Sequence, residues 1–474
     1  MMEKISFGEW LPDQPPVAGA LVDAFNVIPN QIGYGPLPSV SNISNDASDN
    51  LNGLFSGRFG STTKVFATSS TKIFEYSSSN LNLTNISQAG NYSAGESGRW
   101  SSAQFGKVVL AANGEEILQA YTLGTSSNFA DVASAAPTAH FVSVVRDFVV
   151  CGRTNEFPNR VLWSDINDET DWVPGPTSQS DTQDIADGGN IQGITGGEFG
   201  LIFLQKSISR MTYAGAPLYF QFDTISRGLG CLEPKSIAQY GNLSFFLSDD
   251  GFYMCDGTKV IPIGAEKVDR FFFNDAELAL LNNMSVAVDP VRRCVFWLYT
   301  NNSSAQSIII YNWQIQKWSR GETTADFISS VETEGITLES LDNYSSSIDA
   351  LGISLDDRFW VADNTLLAGV QDAKIVAFSG ANSGAEIVTG DLVSQNSIIT
   401  LAKPQIDGGT ANVSVASRAR LDSSISFGSV AQADAENRCS VRSHGRYHRI
   451  KVLPSGNYTS AVGVDLDIKA GGMR

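Results

Sequence analysis

Histidine is scarce in this chain, with three in 474 residues (His140, His444 and His448), and charged residues make up only 17%. No GxSxG, HExxH or P-loop pattern occurs, and no GxGxxG stands in a βαβ setting, so the common signatures of nucleophilic, zinc and nucleotide chemistry are missing. Glycoside hydrolysis needs only a carboxylate pair. The 50 Asp and Glu leave that open without singling any out. Basic residues are outnumbered, 32 against 50, and a formal net charge of −18 argues against a protein that coats nucleic acid. No apolar stretch approaches the roughly 18 to 20 residues of a membrane span, and the opening MMEKISFGEWLPDQPP has neither the basic start nor the apolar core of a signal peptide. Synthesis and assembly in a cytoplasm are expected. Five cysteines (Cys151, Cys231, Cys255, Cys294, Cys439) share no CxxC spacing and are read as small buried hydrophobes.

What is present is a repeated phrase. Cys294 to Gly321 runs as an apolar stretch, a polar turn at Asn301 to Ser303, a second apolar stretch, and a Trp-marked close. Its β-branched and aromatic residues predict three antiparallel strands. Similar phrases start at Val65, Val108, Phe148, Leu201, Phe245, Val295 and Leu367, in steps of 43, 40, 53, 44, 50 and 72 residues. That interval fits a four-stranded sheet with its turns, so the fold class is all-β: a β-propeller of about five to seven blades. Because the last step is long, a strand from Leu54 to Ile86 is expected to share a closing blade with strands from Leu366 to Thr389. One helix is expected, Ala265 to Asn282, inserted between two blades. Asp165 to Asp171 has Thr170 and Pro176 where a calcium loop needs Gly and Glu, and is read as a blade turn.

Three regions are expected: an extended arm over residues 1–50, a propeller over 51–395, and a small β-sandwich-like domain over 396–474. The arm is rich in proline and carries the anchors Trp10, Phe25 and Tyr34, which pack either on its own propeller or on a partner. The last region holds ten basic and six acidic side chains, near +4, which leaves the rest near −22. Within SVRSHGRYHRIKV, alternation places Arg449 and Lys451 on one face and Ile450 and Val452 on the other. Arg442, Arg446, Arg449 and Lys451, with Trp10, Phe25 and Tyr34, are the candidate assembly residues. No catalytic, cofactor-binding or metal-binding residue is nominated.

FGEWLPDQPP, DAFNVIPNQIGYGPLPS, WSDINDETDW, VSVASRARLDSSISFG, SVRSHGRYHRIKV and VGVDLDIKAGG together resemble tail proteins of short-tailed bacteriophages, of the nozzle or packaged-DNA-stabilisation class. The resemblance implies a virion protein and no enzyme. It implies a homo-oligomeric ring, commonly a hexamer, below the portal and adaptor rings and beside other tail proteins or fibres. DNA would pass along the ring axis without sequence-specific binding. The alternative is a propeller that binds or hydrolyses host polysaccharide.

Overall fold

The computed structural model describes residues 2–470 apart from 17–18, 89, 95–98, 337 and 346; Arg474, counted in the basic C-terminal region, lies outside it. Its strands form a β-propeller. Six four-stranded sheets stand alone, and one further four-stranded unit, Ser285–Asp289, Cys294–Thr300, Gln306–Asn312 and Lys317–Glu322, the sixth blade in chain order, begins a 13-stranded sheet. The first strand of each blade faces its counterparts around the axis. Gly53–Phe59 of the first blade packs on Phe327–Glu332 of the seventh and closes the ring.

The apolar runs have a simple cause. A blade lies between two others, so its second strand is covered on both faces and reads as an unbroken hydrophobic run, as in Val108–Ala112, Phe148–Gly152, Gly200–Leu204 and Cys294–Thr300, each buried along its whole length. Outer strands such as Asp181–Asp184 are exposed. Gly106, at φ +57°, makes the tight turn between Ser101–Phe105 and Val108–Ala112, a backbone region that penalises a Cβ.

Ring closure differs from the expectation. Gly53–Phe59, Thr62–Thr68, Ile73–Tyr76 and Leu83–Asn85 are a complete blade by themselves. Thr365–Gln371 and Lys374–Ala377 belong to another blade, completed by Ser41–Asn42 from the N-terminal region. The chain's ends do close the ring, but with an earlier strand. Glu386–Thr389 is no blade strand at all, pairing instead with Leu21–Phe25 and with Cys439–Ser455. The long last step is filled by short 3₁₀ turns between Leu338 and Trp360.

The phrase Cys294 to Gly321 forms the three antiparallel strands expected of it, with Trp297 opposite Ile309 and Ile309 opposite Arg320. Trp297 and Trp318 are buried and stack at 5.9 Å. Their Nε1–H groups donate to Ser236 O at 2.9 Å and Ile263 O at 3.1 Å, fastening the sixth blade to the fifth. The inserted helix is shorter than expected, Asp269–Asp275, with a 3₁₀ turn over Leu278–Asn283. Ala276 breaks it by leaving helical geometry to bridge Asn301.

The C-terminal strands Leu392–Asp407, Thr410–Arg418, Cys439–Ser455 and Ser460–Ala470 are antiparallel, as expected. They are not tethered apart. They continue the sheet of the sixth blade through Leu21–Phe25 and Glu386–Thr389, and one hydrophobic cluster joins Val413, Ile450, Val464 and Leu466 to Phe252, Trp297 and Trp318. All five cysteines are free and buried. Among the described residues no helix is long and apolar enough to cross a membrane.

Candidate functional site

The strand Cys439–Ser455 carries the basic segment, and its two halves do different things. In the first half, pairing with Leu392–Asp407 buries Ser443 and Gly445 and turns Arg442, His444 and Arg446 outward. Arg446 lies 5.5 Å over the Tyr447 ring, and no ion pair to Arg442 or Arg446 occurs among the described residues. Arg442 and Arg446, with His444 between them, thus form an exposed basic row on the C-terminal region.

In the second half Ile450 and Val452 are fully buried, and Arg449 and Lys451 take the other face, as alternation requires. Those two cations are not free. Lys451 Nζ lies 2.6 Å from Glu386 and 4.8 Å over the Phe427 ring. Arg449 donates from Nε to Asp391 at 3.1 Å, and Arg418 donates to the other oxygen of the same carboxylate. Asp391 is 3% exposed, while the two guanidinium side chains are 12% and 10% exposed. This is a buried three-charge cluster, not a docking surface. As candidate assembly residues Arg449 and Lys451 are therefore corrected to internal roles, and only Arg442 and Arg446 stay available.

The N-terminal anchors are also used inside their own chain. Trp10, 1% exposed, donates from Nε1 to Val22 O at 3.1 Å and meets Phe271 edge to face at 5.1 Å. Tyr34 is fully buried and donates to Gly8 O at 2.9 Å; burial drives its phenol pKa up. Phe25 is half-buried under Arg320, whose guanidinium sits 4.7 Å over the ring and grips Asp23 with two bonds of 2.8 Å. Met2–Ser6 adds to Ser460–Ala470, and Leu21–Phe25 to Glu386–Thr389. The described part of the first 50 residues is thus built into the body through short strands, and Trp10 and Tyr34 have no surface left for a partner.

Other candidates resolve into local structure. Asp165 bridges Asp168, whose carboxylate accepts from Thr170 N–H and Oγ1–H, which is turn chemistry. No group of His, Cys, Asp and Glu suited to a metal occurs among the described residues. His448 is 1% exposed and lies 2.9 Å from Ser397 Oγ; its Nδ1 has no partner and burial depresses its pKa, so no carboxylate orients the ring.

Two features were invisible in the sequence. Arg99, ahead of the second blade, donates to Met284 O at 2.5 Å and Asn283 O at 2.9 Å and lies 5.1 Å over Phe327. It ties the second blade to the sixth and seventh, which are not adjacent to it in the ring. A polar groove of about 1190 Å³ runs between the N-terminal segment, the outer turns of the sixth blade and the C-terminal strands, lined in part by Asn30, Arg293, Gln314, Asp357, Asn382 and Asn457. Neither has a local motif, because each is assembled from segments hundreds of residues apart.

No family model and no curated sequence matches the chain. Among solved structures, a chain of the mitotic checkpoint complex is similar at 10% identity and a TM-score of 0.40, covering 73% of this chain and 95% of its own. The WD40 domain of Toxoplasma gondii coronin is similar at 7% identity and a TM-score of 0.39, covering 75% and 87%. The computationally designed Ika8 protein is similar at 9% identity and a TM-score of 0.39, covering 75% and 96%. Resemblances this distant say nothing about function; the propeller is established by the chain's own sheets.

Proposed function

We propose that this chain is a structural subunit of a bacteriophage tail. Its copies form an oligomeric ring below the portal and adaptor that retains packaged DNA and conducts it on ejection. The observation that carries this reading is charge segregation: Arg442 and Arg446, with His444 between them, form an exposed row in a C-terminal region near +4, on a chain whose residues 1–395 are near −22. Such a row docks against acid, on a neighbouring copy or on the next ring, through salt-sensitive contacts. The acidic body offers phosphate few attractive contacts, so DNA slides past it. In this reading the passage lies at the centre of the ring of copies, and the contacts that tie Arg99 to the sixth and seventh blades support it over a passage through the individual propeller.

The polar groove favours a second reading, a propeller that binds or cleaves host polysaccharide. Amide and guanidinium side chains such as Asn30, Asn382 and Arg293 can bond sugar hydroxyls. Titrating the purified protein with host envelope polysaccharide while following its mass separates the two. Ring formation without sugar binding supports the tail subunit; a monomer that binds or degrades the polymer supports the second reading.

A further inference from the structure

Every sheet has edges, and among the described residues the propeller covers or shortens the outer edge of each blade but one. The outermost strands Leu83–Asn85, Ala130–Asp131, Val260–Pro262 and Ser41–Asn42 have two or three residues, and Asp181–Asp184 has four, two of them carboxylates. Lys317–Glu322 is covered by Leu21–Phe25, and Thr410–Arg418 by bridges to Phe427 and Ala431. The fourth blade is the exception. Its outer strand Tyr219–Arg227 is nine residues long, ends its sheet, and contains neither lysine nor proline. A long open edge of this kind is a template for pairing with another strand, and proteins ordinarily blunt it.

We infer that two copies of this chain pair edge to edge through Tyr219–Arg227, running antiparallel about a two-fold axis at Phe222. The edge is self-complementary. Phe220 to Thr224 pair with Ser209 to Tyr213 without interruption, and the register slips only at either end, so five residues present a regular ladder. On the blade's packed side Phe220 is buried against Phe148 and Trp163, and Phe222 is half-buried 6.2 Å from Trp163. On the other side Gln221 and Asp223 are exposed, and Gln221 Nε2 donates to both Asp223 oxygens at 2.9 and 3.2 Å.

Residues opposite one another in an antiparallel pair share a face, so a two-fold perpendicular to the sheet must pass through a residue. An axis at Asp223 would oppose two carboxylates. One at Phe222 sets the two half-exposed Phe222 rings together and places Gln221 opposite Asp223 of the second copy, an amide donor against a carboxylate on each side. Met2–Ser6, another uncovered edge of five residues, exposes Glu3 and Lys4 and offers no such match. The contact lies at the rim of the propeller and does not rest on the tail reading.

Cysteine trapping tests the register directly, because all five native cysteines are buried. Opposite residues sit about 4.5 to 5.5 Å apart at Cα, within disulfide reach. Phe222→Cys should give a disulfide dimer on a non-reducing gel under mild oxidation. Thr224→Cys should not, since the two copies of that residue would lie about 13 Å apart along the strands. Gln221→Lys with Asp223→Lys leaves the packed side untouched and opposes like charges; sedimentation should show association weakened by about tenfold or more. Equal trapping at both positions would overturn the inference. So would a folded Phe222→Cys that stays monomeric, or association indifferent to the double lysine variant.

Discussion

Deleting residues 2–38 should unfold this protein rather than merely disarm it. The segment contributes Phe7, Trp10, Leu21, Val27 and Tyr34 to the core, none more than 3% exposed. At about 2 kcal/mol for each buried large side chain, the five contribute about 10 kcal/mol, against a total stability of roughly 5 to 15 kcal/mol for a typical domain. The deletion also strips Leu21–Phe25 from between Lys317–Glu322 and Glu386–Thr389, opening the 13-stranded sheet at the seam between the sixth blade and the C-terminal strands. The assay is solubility on expression, followed by circular dichroism and thermal unfolding of any soluble fraction. Insoluble protein, or a broad transition far below that of the full chain, is the expected result. A soluble truncated chain that melts cooperatively near the parent temperature would refute the reasoning and return the segment to the status of an arm.

Three further outcomes follow from the same geometry. Asp391→Ala leaves Arg418 and Arg449 buried without their carboxylate and should cost about 3 to 5 kcal/mol in chemical denaturation; a change below about 1 kcal/mol would mean the cluster is solvated. Burial pushes the Asp269 carboxyl up to about 7, with Asp13 and Asp250 adding to the rise. Because the folded-state pKa is raised above the unfolded value near 4, the group's contribution is intact below about pH 4 and is lost as pH climbs through 7, on the order of 2 kcal/mol after solvent screening. Asp269→Asn should therefore gain stability relative to the parent over that window, and parallel melting curves from pH 4 to 8 would show the prediction wrong. Arg442→Ser with Arg446→Gln should weaken assembly and flatten its salt dependence without moving the melting temperature, whereas Arg449→Gln should lower the melting temperature through Asp391; the reverse pattern would exchange the roles assigned to the two halves of the strand.

The propeller was legible because burial on both faces of a blade writes a continuous apolar run into the sequence, and seven such runs recur at blade spacing. Alternation at Arg449 to Val452 was legible for the same local reason. The partners were not. Asp391 and Glu386 lie some 60 residues from Arg449 and Lys451, and nothing near them in sequence marks the pairing. The proline-rich opening reads as an arm because short strands such as Tyr34–Pro36 and Ser41–Asn42 carry no periodicity of their own. Ring closure was misassigned for that reason too, since two residues complete the seventh blade.

Mass photometry combined with negative-stain imaging of the purified full chain, at low and high salt and with the adaptor added, addresses the proposed function most directly. Closed rings, commonly of six copies, that form or grow with the adaptor and loosen as salt rises are the predicted result. A chain that never closes into rings under any of these conditions, and that binds or degrades host polysaccharide, would contradict it.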